Sequence, residues 1–76
     1  MVKITEIHLK SEYELANAAV LHKHFGYSLK KALVASFKSP KIITHNPPLE
    51  ITLTQPLDEF KEFLDNYEIE IKIVNQ

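Results

Sequence analysis

One glycine and four prolines, and the places where they fall, decide what this chain has room to become. Gly26 stands alone, and Pro40, Pro47, Pro48 and Pro56 divide the stretch that follows it. Glycine commonly closes a helix, while proline either stops one or opens its first turn. These positions therefore cut the chain into short elements, none of them stable by itself in water. Cysteine is absent, so no disulfide or thiolate–metal staple is available to hold the pieces together. At 76 residues the chain is near the lower limit for folding on its own core. All of the elements must share that core, which predicts a single compact domain over residues 1–76.

Read between the punctuation marks, the chain has six elements. Residues 2–9, VKITEIHL, are rich in β-branched side chains and read as a strand whose alternation slips near Glu6. Ser11 is the expected N-cap of a first helix, with Glu12 and Glu14 in its first turn, running to about Phe25 before Gly26. Ser28 caps a second helix through about Phe37, and Pro40 ends it. There Leu29, Ala32, Leu33 and Phe37 recur at i, i+3, i+4 and i+8, which assigns them to the core face. THNPP at 44–48 reads as a stiff turn. Leu49, Ile51 and Leu53 then alternate with Glu50, Thr52 and Thr54 as a half-buried strand. Gln55-Pro56 opens a third helix with the stripe Leu57, Phe60, Leu64 and Tyr67, and Phe63 at its edge. Ile69, Ile71 and Ile73 alternate with Glu70, Lys72 and Val74 as the last strand. The order β-α-α-β-α-β predicts an α+β domain of two layers, a three-stranded antiparallel sheet with helices on one face.

Charge is distributed unevenly along these elements. Residues 1–41 carry seven lysines against three acids, and residues 42–76 carry two lysines against seven acids. The stretch 26–41, GYSLKKALVASFKSPK, holds four of the nine lysines and no acid. On the second helix Lys30, Lys31, Val34 and Lys38 lie away from the expected core face, with Lys23 and Lys41 flanking. An aliphatic residue within a basic rim suits docking on an acidic groove of another protein, where rim lysines speed association more than they tighten it. Asp58, Glu59, Glu62 and Asp65 form an acidic flank on the third helix. That flank supports an alternative reading, a small inhibitor or immunity-type protein that binds a basic partner. A solvated lysine face is the plain reading to set against both.

The second helix also carries a family resemblance. Gly26, Leu29, Lys30, Ala32, Pro40 and Lys41 fit, without a gap, the glycine turn and helix of the C-terminal factor-binding domain of the bacterial ribosomal stalk protein. FLDNYEIEIKI at 63–73 is similar to that family's closing helix and strand, and the element order agrees along nearly the whole chain. The same architecture occurs in the Clp-protease adaptor for substrates with destabilising N-terminal residues, and VLHKHFGYSLKKA is similar in style to its first helix and turn. The resemblance implies this fold and a protein-docking role. In the stalk family the first long helix and the glycine turn bind translation GTPases through lysines, an arginine and exposed aliphatics. Those places hold Glu14, Leu15, Ala18, Ala19 and His22 here, and Leu33 replaces a lysine, which implies a different partner. The adaptor's acidic loop has no counterpart in HLKSEYE.

Other chemistries find less support. Arginine is absent and the net charge is −1, so the lysines interleaved with Phe25, Tyr27 and Phe37 make a weak case for nucleic acid. His22 and His24 are two apart on a helix and point to opposite sides, unlike metal pairs at i, i+4; His8 and His45 complete no ligand set. Ser11, Ser28, Ser36 and Ser39 have no nucleophile motif around them, and a single glycine leaves no phosphate-cradling loop. The expectation is a non-enzymatic protein with no cofactor and no metal. The opening MVKITEIHLK lacks the apolar core of a signal peptide, and no apolar run approaches the roughly 20 residues of a membrane span. This predicts a cytoplasmic protein without a membrane partner. An open edge strand leaves monomer and homodimer both available.

Overall fold

The computed structural model describes residues 1–74. Its elements are β1 (Val2–Leu9), α1 (Glu14–His24), α2 (Leu29–Phe37), β2 (Ile42–Ile51), α3 (Leu57–Asp65) and β3 (Ile69–Ile73). The three strands form one antiparallel sheet in the order β2-β1-β3, so β1 is central and the other two are edges. This is the expected α+β arrangement.

The slip in the alternation of β1 has a structural cause. β1 pairs with β3 as Ile4↔Ile73 and then as Glu6↔Lys72, which leaves Thr5 without an opposite residue. This one-residue bulge turns the strand over between Ile4 and Ile7, so both are fully buried although three positions apart. Thr5 donates its hydroxyl hydrogen to the Lys72 carbonyl at 3.2 Å and pins the bulge. The same irregularity is larger on the other side, where Ile4 pairs with Leu49 and Glu6 with Thr44. His45, Asn46, Pro47 and Pro48 stand there against Thr5 alone. The expected turn at 44–48 is therefore a bulged segment inside β2, and β2 begins at Ile42 rather than Leu49. Proline is tolerated because β2 is an edge strand, where a missing N–H breaks no continuous ladder.

One sheet face carries Ile7, Leu9, Ile69 and Ile71 into the core with Val20, Leu21, Phe25, Phe60 and Leu64 of the helical layer. The other face meets water through a mesh of opposite charges. Lys10 lies 2.9 Å from Glu70, Glu6 lies 3.8 Å from Lys72, and Lys3 lies 3.9 Å from Glu50. Glu6 Oε1 is also hydrogen-bonded to the His8 ring Nε2 at 2.7 Å.

The helices differ from expectation in detail. α1 starts later than predicted, with Tyr13 at the N-cap position. Ser11 instead accepts the Tyr13 N–H on its Oγ at 2.9 Å, a turn that precedes the helix. Gly26 ends α1 with φ +75, and a Cβ added there would meet nothing within 4 Å. Its backbone angle, rather than lack of space, is what favours glycine. Ser28 caps α2 as expected, accepting the Lys31 N–H at 3.1 Å. Tyr67 lies beyond the end of α3, its ring centroid 5.2 Å from that of Phe63.

The largest correction concerns α2. Leu29 and Phe37 were expected in the core, yet they are 56% and 61% exposed. The helix buries Ala32 and Ser36 and half-buries Leu33 and Ala35. α2 packs mainly on α1. With the small Ala32 and Ser36 as its buried side, Leu29, Val34 and Phe37 are left outside.

Candidate functional site

The rotation of α2 sets the character of its outer surface. With 3.6 residues per turn, Lys30, Val34 and Phe37 form one outward row at i, i+4 and i+7. Lys31, Val34 and Lys38 form a second row at i, i+3 and i+7. Val34, 59% exposed, belongs to both rows. Between α2 and the edge of β2 runs a groove of about 480 Å³ lined by Lys31, Val34, Ala35, Lys38, Ile42 and Ile43, with Pro40 and Thr44. Ile42 is itself about half exposed and faces the groove from the strand. The surface thus has an apolar floor and lysines along its margin.

The predicted residues divide into three groups. Lys31, Val34 and Lys38 meet at the groove. Lys30 is exposed on the neighbouring row of α2, and Lys23 is exposed on the last turn of α1, outside the groove. Lys41 is placed differently: its Nζ donates to Glu14 Oε2 at 3.0 Å and to the Ser11 carbonyl at 3.3 Å. Its side chain is only 23% exposed, and this hydrogen bond is the main reason the Glu14 carboxyl titrates below the usual glutamate range. Lys41 fastens the segment after α2 to the start of α1. Its charge is already matched.

A second joint lies at the other end of α2. Tyr27, nearly buried, meets His45 of the β2 bulge through its hydroxyl and the ring Nε2. Burial pushes the phenol up, and burial followed by the nearby Lys31 charge holds the His45 imidazole below its ordinary value. Both shifts favour the neutral pair, in which the Tyr27 O–H donates to Nε2. Lys31 Nζ sits 4.9 Å from the Tyr27 ring centroid, a cation–π distance that orders this lysine beside the groove. The remaining histidines also have partners. His22 Nδ1 is 2.7 Å from the Tyr27 carbonyl, His24 packs 4.8 Å from the Phe63 ring, and His8 pairs with Glu6. Among the described residues no three or more His, Cys, Asp or Glu side chains are grouped to hold a metal ion, and no helix is long and apolar enough to cross a membrane.

The acidic flank of α3 is a coherent surface as well. Asp58, Glu62 and Asp65 fall at i, i+4 and i+7 with Glu59 beside them, and all four are exposed. The apolar residues of α3 are turned inward, so no large aliphatic or aromatic side chain interrupts the acids. Sequence reading missed Phe37 and Ile42 as surface residues. Phe37 fits a core stripe by spacing alone, and only the small pair Ala32 and Ser36 hinted that the helix is rotated. Comparison with protein-family models, with curated proteins and with solved structures finds no match for this chain.

Proposed function

We propose that this domain is a non-enzymatic, cytoplasmic interaction module that docks a partner protein through the outer face of α2. The partner presents an acidic rim around an apolar contact. Val34, Phe37 and Ile42 supply the apolar area, and Lys30, Lys31 and Lys38 steer the encounter, with Lys23 at the margin. The observation that carries this reading is the exposure of Val34 among Lys30, Lys31 and Lys38, with the exposed Phe37 in the same row as Val34 and Lys30. Interface centres are apolar and desolvated while charges sit at the rim, and α2 has that composition. The likeness to the stalk-type factor-binding domain supports a protein-docking role in general, since that family docks its partners through the first helix and the glycine turn that precede α2. The second reading, an inhibitor or immunity-type protein using Asp58, Glu59, Glu62 and Asp65, rests on the continuity of that acidic row, which lacks an apolar centre.

The test is capture of binding proteins from native lysate with four folded baits. These are the wild type, Lys30→Glu/Lys31→Glu/Lys38→Glu, Val34→Asp, and Asp58→Lys/Glu59→Lys/Glu62→Lys. Loss of one captured protein with the α2 bait and with Val34→Asp, but not with the α3 bait, is the expected result. Loss with the α3 bait alone would move the docking face to α3.

A further inference from the structure

The two edges of the sheet are not equivalent. β2 contains Pro47 and Pro48 and the four-residue bulge, features that blunt an edge against strand addition. β3, IEIKI, has neither proline nor bulge. The backbone phase of β3 follows from its inner bonds. The Lys10 N–H donates to the Glu68 carbonyl at 3.0 Å, and the Val74 N–H donates to the Lys3 carbonyl at 2.9 Å. Even-numbered residues of this segment therefore bond inward to β1, and Ile69, Ile71 and Ile73 turn their N–H and C=O groups to the free edge. β3 ends the strand order, and a hollow of about 340 Å³ lined by Leu64, Asp65 and Ile69 among others opens beside it, between α3 and β3.

We propose that this edge pairs with a second copy of the chain, β3 against β3, antiparallel and with the two-fold axis at Ile71. In that register Ile71 opposes Ile71, and Ile69 opposes Ile73 in both directions. All the outward backbone groups of the three isoleucines then bond, while Glu70 of each copy opposes Lys72 of the other. Across the open face the row reads Glu6, Lys72, then Glu70 of the second copy, so the alternation of charge between Glu6 and Lys72 continues through the joint. Moving the axis to Glu70 or to Lys72 keeps the backbone phase but sets like charges opposite each other, which is destabilising. Lys72, a residue type that usually guards an edge, is here matched by Glu70. The result is an isologous dimer with a continuous six-stranded sheet.

Sedimentation across two decades of protein concentration tests this. The wild type is expected to associate reversibly to a dimer. Glu70→Lys alone and Lys72→Glu alone each place two like-charged pairs across the axis and should weaken self-association by about tenfold or more. An equal mixture of these two variants restores opposite charges at every cross-axis pair and should dimerise again, which also shows that neither variant was merely misfolded. The α2 charge reversal should leave dimerisation intact, so this inference and the docking reading fail separately. A wild type that stays monomeric throughout, self-association that ignores both reversals, or a mixture that does not recover would each overturn the proposal.

Discussion

α2 and α3 are helices of nine residues each, and they solve opposite problems. α3 buries Phe60 and Leu64, half-buries Leu57 and Phe63, and turns its acids to water. Its sequence is used up by its fold. α2 buries only Ala32 and Ser36 and leaves Leu29, Val34 and Phe37 outside among lysines. α2 packs on α1, and a side-chain joint fixes each end, Tyr27 on His45 before it and Lys41 on Glu14 after it. A helix anchored by its ends and by small residues has large side chains to spare, and those are the ones available to a partner. The apolar exposure of α2 is thus a property of how it is attached, whereas the acidic face of α3 is the ordinary outside of an amphipathic helix.

The strongest test of this contrast is truncation of the α3 anchor. Phe60 is 2% exposed and its ring centroid lies 5.8 Å from that of Phe25. Phe60→Ala should cost about 3–5 kcal/mol in denaturant unfolding. For a domain this small that is much of its stability. A cost below about 1 kcal/mol would mean that α3 is not anchored through its core stripe.

The end joints of α2 should matter less, and they carry a pH signature. Tyr27→Phe removes the O–H donor to His45 and should cost about 1 kcal/mol. Because burial holds the folded-state pKa of His45 below its ordinary value, the unfolded chain takes up the proton first as pH falls. Stability from this joint is therefore complete above about pH 6.5 and declines below it toward the folded pKa. His45→Gln should flatten that limb of a stability–pH curve, and an unchanged slope would show that the imidazole is not held neutral.

At the other end, the Glu14 carboxyl is held low first by the Lys41 hydrogen bond. Its contribution is present above the ordinary glutamate range and lost as pH falls through that range to the folded value. Glu14→Gln should make acid unfolding shallower, measured by circular dichroism on a pH titration. Equal acid limbs for variant and wild type would show that the pair is not formed in solution.

These joints also mark where sequence reading stopped. The bulge in β1 was legible because it leaves an imprint, apolar residues at Ile4 and Ile7 in place of strict alternation. β3 and the helix end at Gly26 were legible for the same kind of reason, since each is decided by neighbours in the chain. The rotation of α2 was not. Leu29, Leu33 and Phe37 make an acceptable core stripe until Ala32 and Ser36 are known to be the buried side. The partners of Lys41 and Tyr27 stand 27 and 18 residues away, so a lysine that looks free and a buried tyrosine are separated only by tertiary contact. THNPP misled because its prolines signal a turn, and only its place on a sheet edge allows a strand to continue through it.

The smallest expected effect is the one that sharpens the contrast most. Phe37→Ser removes an aromatic ring that the sequence assigns to the core and the structure places in water. Unfolding free energy should change by no more than about 0.5 kcal/mol, as for an ordinary surface position. If α2 were packed as its spacing suggests, the same substitution would cost several kcal/mol, comparable with Phe60→Ala. A silent result in the denaturation curve would therefore fix the rotation of the helix. It would also free the variant for a second use, because a folded protein lacking only this ring isolates its part in docking. Loss of partner capture by Phe37→Ser at unchanged stability would show that the side chain folding leaves over is the one binding takes up.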